Sequence, residues 1–191
     1  MAIGRTINLS ESLTMENPLI RPLDPKEYDQ FKLVFRYTAK SYYEIIRDAD
    51  HIFSIQLVRQ ELEEEVEKEF EGLLFAEYLE EPSVFGISAG DQIVGFLEIA
   101  RESWHNRLRI TELLVKTDFR GQGYGSKLID KAKEIMRTEG FRELVLETQS
   151  CNTRAIDFYL NNGFIVNGLD LSCYTNEDID KKEVRLEMMW R

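Results

Sequence analysis

The chain has 191 residues, 43% of them hydrophobic, which suits one substantial core, so a single domain over residues 1–191 is expected. Its 24 Lys and Arg stand against 35 Asp and Glu, a formal net charge of -11 that repels phosphate backbones, argues against nucleic acid and favours a cationic partner, although acidity also serves solubility. Two cysteines, Cys151 and Cys173, make no disulfide framework, no Cys/His spacing suggests a metal, and no apolar run nears the roughly 20 residues that cross a bilayer; with no signal-peptide pattern at the start, a soluble cytoplasmic protein is expected.

Residues 1–16 are polar and aperiodic, and loose order is expected there. A short strand is predicted around Leu19–Pro22. From Asp24 to about Leu79 the pattern predicts helices: Ile55, Val58, Leu62, Val66, Phe70 and Leu73 recur at three- and four-residue steps, with Glu61, Glu63, Glu64, Glu65, Glu67 and Glu69 as the solvated face. Glu81-Pro82 closes this half.

Short strands follow. Val84–Ser88 and Ile93–Ala100 flank the turn dipeptide Gly90-Asp91, and a third strand, Arg107–Val115, follows a turn at Trp104-His105-Asn106. A glycine-rich loop then leads into a helix whose Leu128, Ile129, Ala132, Ile135 and Met136 share a face and which Gly140 should stop. Leu144–Leu146 reads as a buried strand. Asn152 is placed to cap a further helix ending at Gly163, and strands are predicted over Ile165–Tyr174 and Val184–Trp190. The order gives an α/β domain in which helices and an antiparallel meander precede strand–loop–helix–strand–helix–strand–strand. The apolar final strand could pair two subunits in a homodimer or lie within one subunit's sheet.

The chemistry is concentrated in Arg120-Gly121-Gln122-Gly123-Tyr124-Gly125-Ser126. The glycines let backbone amides crowd together, and the helix starting there adds unpaired N–H groups and the positive end of its dipole, a site for a pyrophosphate. A Walker loop fails on spacing, because Gly125 is followed by Ser126-Lys127. A dinucleotide fingerprint fails at its third glycine, where Ser126 stands.

The run Arg120-x-x-Gly123-x-Gly125 resembles the Gln/Arg-x-x-Gly-x-Gly/Ala signature of the GNAT acetyltransferases. Asn152 to Tyr159, followed by Asn162-Gly163-Phe164, resembles that family's second motif. The family's proline before the arginine is replaced by Thr117. A narrower resemblance, carried by Asp118–Gly123, Leu146-Glu147-Thr148-Gln149, Asn152 and Phe158-Tyr159, is to the streptothricin acetyltransferases, which acetylate an amine of a cationic antibiotic. It covers about Ile110–Tyr174.

The resemblance implies a GNAT fold, a mixed central sheet with a mainly antiparallel N-terminal meander flanked by helices. It implies acetyl-CoA as acetyl donor, with no metal. Leu113, Leu114 and Val115 would meet the pantetheine and thioester, the amides of Arg120, Gly121, Gln122, Gly123, Tyr124, Gly125 and Ser126 the pyrophosphate, and Asn152 the pantetheine. Tyr159, by family position, would protonate the departing sulfur. A lysine-like amine has a pKa near ~10.4 and must lose a proton before it attacks. Glu112, in the strand beside the cleft, is the candidate base, with Glu147 as reserve or as a contact for the substrate's charge. The expected acceptor is a primary amine on a small cationic molecule such as streptothricin. A polyamine, a peptide amine and an acetyl-CoA sensor without turnover stay open. Tyr42 and Tyr43 lie in the region that would cover the acceptor. His51, His105 and Cys151 lack partners in sequence, and Trp104 is expected to anchor its turn.

Overall fold

The computed structural model describes residues 19–48, 50 and 54–191; the expectations for residues 1–16 and for His51 lie outside them. Strands are β1 Ile20–Pro22, β2 Lys32–Arg47, β3 Ile55–Leu73, β4 Ser83–Ala89, β5 Gln92–Glu102, β6 Arg107–Val115, β7 Glu143–Gln149, β8 Ile165–Asp170 and β9 Arg185–Trp190. Helices are α1 Pro25–Tyr28, α2 Tyr124–Glu139, α3 Thr153–Asn161 and α4 Asp178–Lys181. Seven strands form one mixed sheet in the order β1-β4-β5-β6-β7-β9-β8, while β2 and β3 pair as a separate hairpin.

The helix α2 buries Leu128, Ile129, Ala132 and Met136 against Leu97, Ile99, Leu108 and Ile110, and full burial of one such side chain stabilises by about 1.5–3 kcal/mol. It stops at Gly140, whose φ of 77° is left-handed, with the Phe141 N–H returning to the Met136 carbonyl at 3.0 Å. Phe96 alternates with Leu97 and joins a second cluster with Leu23, Leu33, Leu74 and Val84, so the base of the hairpin covers the sheet face opposite α2. The final strand β9 runs between β7 and β8 and is not an edge of the sheet.

The prediction of helices from Asp24 to Leu79 is overturned. Among the described residues of this stretch only Pro25–Tyr28 is α-helical, with Asp24 accepting from the Lys26 N–H at 2.9 Å; the rest is chiefly the hairpin, paired from Lys32↔Leu73 to Arg47↔Ile55. The three- and four-residue spacing of apolar residues misleads because it is read from β3, the outlying strand of the hairpin, where Val66, Phe70 and Leu73 are all exposed, while β2 turns Leu33, Ala39 and Ser41 inward. Its true period of two is written in charge. From Glu65 to Glu71 every odd position is Glu, and these carboxylates meet cations and a hydroxyl of β2: Lys32 with Glu71 at 2.8 Å, Arg36 with Glu69 and Lys40 with Glu65 at 2.5 Å, and Thr38 with Glu67 at 2.6 Å. A wide bulge interrupts the ladder, since Ala39 pairs with Val66 but Ser41 with Glu61.

The strand expected over Ile165–Tyr174 ends instead at Asp170. Beyond it the backbone amides of Tyr174 and Thr175 turn inward to Asp178, at 2.9 and 2.7 Å, and α4 follows, too short to announce itself by periodicity.

Candidate active site

Parallel pairing of β6 with β7 runs only from Arg107↔Glu143 to Arg109↔Val145. Beyond that point β6 continues to Val115 along β5, β7 continues to Gln149 along β9, and the two part. A bulge at Thr111 helps: Ile99 faces Ile110 while Glu98 faces Glu112, so β6 carries one extra residue and changes phase. The opening is a cavity of about 450 Å³, lined by Leu113–Val115 on one side, by Asn152, Arg154, Ala155, Phe158 and Tyr159 on the other, and by the glycine loop at its end.

Gly121 and Gly123 have φ of 76° and 84°, and a methyl group built on either meets nothing within 4 Å, so the loop is an open cradle. Gly123 caps α2, leaving the first-turn N–H groups of that helix without intrahelical partners. Gly125 differs. A methyl there would stand 3.0 Å from the Phe158 ring, so its smallness serves the approach of α2 to α3. Arg120 donates to the Val115 carbonyl at 3.0 Å and to the Arg36 carbonyl at 3.1 Å, tying the loop to the end of β6 and to the hairpin. Burial and the neighbouring Arg154 lower its pKa. Arg120 and Arg154 line this end of the cleft, two cations on an acidic protein, while Arg36 gives it a backbone carbonyl and pairs its guanidinium with Glu69. Open left-handed glycines, helix amides and guanidiniums together fit the phosphates of an acyl-CoA.

Of the sequence-predicted contacts, Leu113, Leu114, Val115, Arg120, Gly121, Gly123, Tyr124, Gly125, Ser126, Asn152 and Tyr159 line the cavity. Gln122 does not; its side-chain amide donates to the Asp118 carbonyl at 3.0 Å. Asn152 also caps α3, accepting from the Ala155 N–H at 3.3 Å.

Glu112 sits one residue before the lining stretch. Burial, then the charges of Glu98 and Glu147, push its carboxyl up to about 7. Tyr159 is half-buried against Phe164, and burial together with the Glu112 charge raises its phenol well above the ordinary tyrosine range, so it stays protonated. Glu147 is more exposed and pairs with Arg185 at 2.8 Å, with the Tyr174 hydroxyl at 3.4 Å.

Apolar periodicity hides the hairpin's share of the site. Phe35, Arg36, Tyr37 and Phe70 border the cavity; Phe35 and Phe70 are register partners whose rings stack at 4.7 Å. Alternation of charge along β3 is the signal that would place them. The Tyr37 hydroxyl reaches Gln149 at 3.0 Å and Cys151 at 3.5 Å. Tyr43 donates its backbone N–H to the Ser150 carbonyl at 2.9 Å, and Lys182 stands over the Tyr42 ring, so both tyrosines lie on β2 rather than on a helix. Trp104, exposed, and His105, half-buried, share one turn, and neither lines the cleft.

Residues 41–164 match the sequence profile of the acetyltransferase (GNAT) family. The chain belongs to the GNAT acetyltransferases. It is 35% identical over 83 residues to streptothricin acetyltransferase A of Bacillus subtilis (strain 168), a stretch covering 44% of this chain and 47% of that protein. The chain thus spans about half the length of the curated relatives it matches. Nourseothricin acetyltransferase shares its fold with a TM-score of 0.71 at 24% identity, over 90% of this chain and 96% of the other. A protein from Bacillus anthracis str. Ames, solved in complex with acetyl coenzyme A, does so at 0.70 and 22% identity, over 93% and 98% of the two chains. The parted β6 and β7, with the glycine loop at their mouth, belong to this GNAT frame.

Proposed function

We propose that this protein transfers an acetyl group from acetyl-CoA to a primary amine of a small cationic acceptor, and that streptothricin is such an acceptor. The observation that carries the reading is the cleft between β6 and β7, closed at one end by the open cradle of Gly121 and Gly123. When bound, acetyl-CoA supplies an activated acetyl thioester. The amides from Gly121 to Ser126 hold its pyrophosphate, and the free edge of β6 at Leu113–Val115 orients the pantetheine. Glu112, with a carboxyl near neutrality, takes the proton of the incoming ammonium directly or through one water. The Tyr159 phenol returns a proton to the departing sulfur.

The acceptor class is supported by charge. Glu98, Glu112 and Glu147 lie in one electrostatic neighbourhood. Activity on streptothricin would make the protein an antibiotic-resistance enzyme of the cytoplasm, where acetyl-CoA is available. Incubation with acetyl-CoA and streptothricin, followed by mass spectrometry, is expected to show one acetyl gain that depends on Tyr159. Acetylation of spermidine or a lysine peptide instead would move the acceptor. Acetyl-CoA binding without any acetylated amine would point to a sensor.

A further inference from the structure

Glu112 must be held at one place to serve as a base, yet among the described residues no side chain of opposite charge acts on it. The groups that face it electrostatically are Glu98 on β5, Glu147 on β7, Tyr159 on α3 and Tyr78 in the segment after β3. Shape does what charge does not. A methyl group built at Gly72 would overlap the whole Glu112 carboxyl, at 2.6 Å from Cδ, 2.7 Å from Oε2 and closer still to Oε1. Gly72 pairs with Leu33 inside the ladder, and its φ is not left-handed, so its backbone makes no demand for glycine. A side chain at Gly72 would push the carboxyl out of this place.

Two further contacts fix the walls of this slot. Glu98, fully buried and directly across from Glu112, accepts from Thr111 Oγ1 at 2.7 Å and from the Phe75 N–H at 2.6 Å. One bond pins the bulge next to Glu112. The other pins the chain three residues past Gly72, where Phe75 is held at a φ of 57° that a bulky residue seldom adopts.

We propose that Gly72 is the seat of the Glu112 carboxyl, a positioning residue on the hairpin whose lack of a side chain sets where the base stands, with Glu98 clamping hairpin and sheet together around it. The proposal rests on the reading of Glu112 as the base.

The test uses Gly72→Ala, Glu112→Ala and the double variant of the full chain, with acetyl-CoA and streptothricin. Gly72→Ala is expected to lower kcat about tenfold or more while leaving KM for acetyl-CoA unchanged. It should also move the acidic limb of the pH–rate profile to lower pH, because a carboxyl expelled from the slot loses the burial that raises it. In the Glu112→Ala background the same change is expected to cost nothing further, in kcat or in melting temperature. Wild-type kcat and pH profile in Gly72→Ala would overturn the proposal. So would an equal loss of melting temperature in both backgrounds, which would assign the effect to hairpin packing. If Gly72→Ala does not fold, a folded double variant supports the seat and an unfolded one overturns it. Failure of the underlying reading has its own signature: Glu112→Ala would keep wild-type kcat, removing the base and the catalytic meaning of its seat, whatever the melting temperatures show.

Discussion

The glycine loop with α2 and the β2–β3 hairpin border the same cleft, but they are held in opposite ways. The first grows out of the main core: Leu128 and Ile129 are fully buried one turn after Gly123. The second is a long ladder whose β3 carries polar cross-strand pairs and exposed apolar residues, joined to the rest by its base, by Tyr43, Ile45 and Leu57 at the edge of the main core, and by polar tethers. Those tethers include the Ser41 and Thr153 hydroxyls at 2.9 Å, Arg59 with Asp157 at 2.9 Å and Lys68 with Glu183 at 2.5 Å. A wall rooted in the core suits a donor that is always the same molecule. On the proposed function, a less firmly rooted wall suits the acceptor side.

This contrast predicts that changes on the two walls separate kinetically, and the largest effects belong to the chemistry between them. Glu112→Gln is expected to lower kcat by about 10²-fold or more at neutral pH with KM for acetyl-CoA unchanged. The same variant has a readout in stability. Glu112 in the folded protein holds its proton up to about pH 7, against an ordinary carboxyl value of 4.5, so its contribution is present at low pH and is lost as pH rises from about 4.5 through 7. Relative to Glu112→Gln, the wild-type protein should therefore lose up to roughly 3 kcal/mol across that window, read from denaturant unfolding at pH 5 and pH 8. No relative change would mean that Glu112 is solvated. Tyr159→Phe keeps the ring and removes the donor. Its kcat should fall about 10- to 10²-fold while calorimetric acetyl-CoA binding is retained, and an unaltered kcat would refute the acid role.

Smaller effects test the walls themselves. Gly123→Val puts a branched side chain into the cradle at a left-handed φ, so acetyl-CoA KM should rise about tenfold, with a stability loss of about 1–2 kcal/mol that leaves the fold intact. Unchanged acetyl-CoA affinity in a folded variant would remove the loop from the mechanism. Arg59→Ala loosens the hairpin from α3 through an exposed pair, so stability should change by less than about 1 kcal/mol. Its kinetic effect should appear in acceptor KM and not in acetyl-CoA KM; the reverse would erase the distinction between the walls.

The two walls also differ in how legibly the amino-acid sequence encodes them. The strands β4 to β7 and the helices α2 and α3 each bury a stripe or a face, so periodicity and the glycine stops at 140 and 163 locate their ends within three residues. In the hairpin only β2 turns a face inward, through Leu33, Ala39 and Ser41, and β3 buries no continuous face. Its apolar residues fall at helical spacing by accident, while its glutamates alternate as a strand requires. Site residues follow the same rule. Those carried by the two contiguous motifs line the cleft, with Gln122 the exception. Gly72 and Glu98 carry no signal of their own, because their meaning comes from Glu112, 40 and 14 positions away in the chain.

The place of β9 has a consequence for how the protein is made. In the sheet β8 is hydrogen-bonded to β9 alone, and β9 is synthesised some fifteen residues later. On the ribosome β8 therefore emerges as an unpaired strand, and it stays so until β9 slides in beside β7. A pause in translation between Asp170 and Arg185 would prolong that state, with an adhesive strand waiting on a partner not yet made.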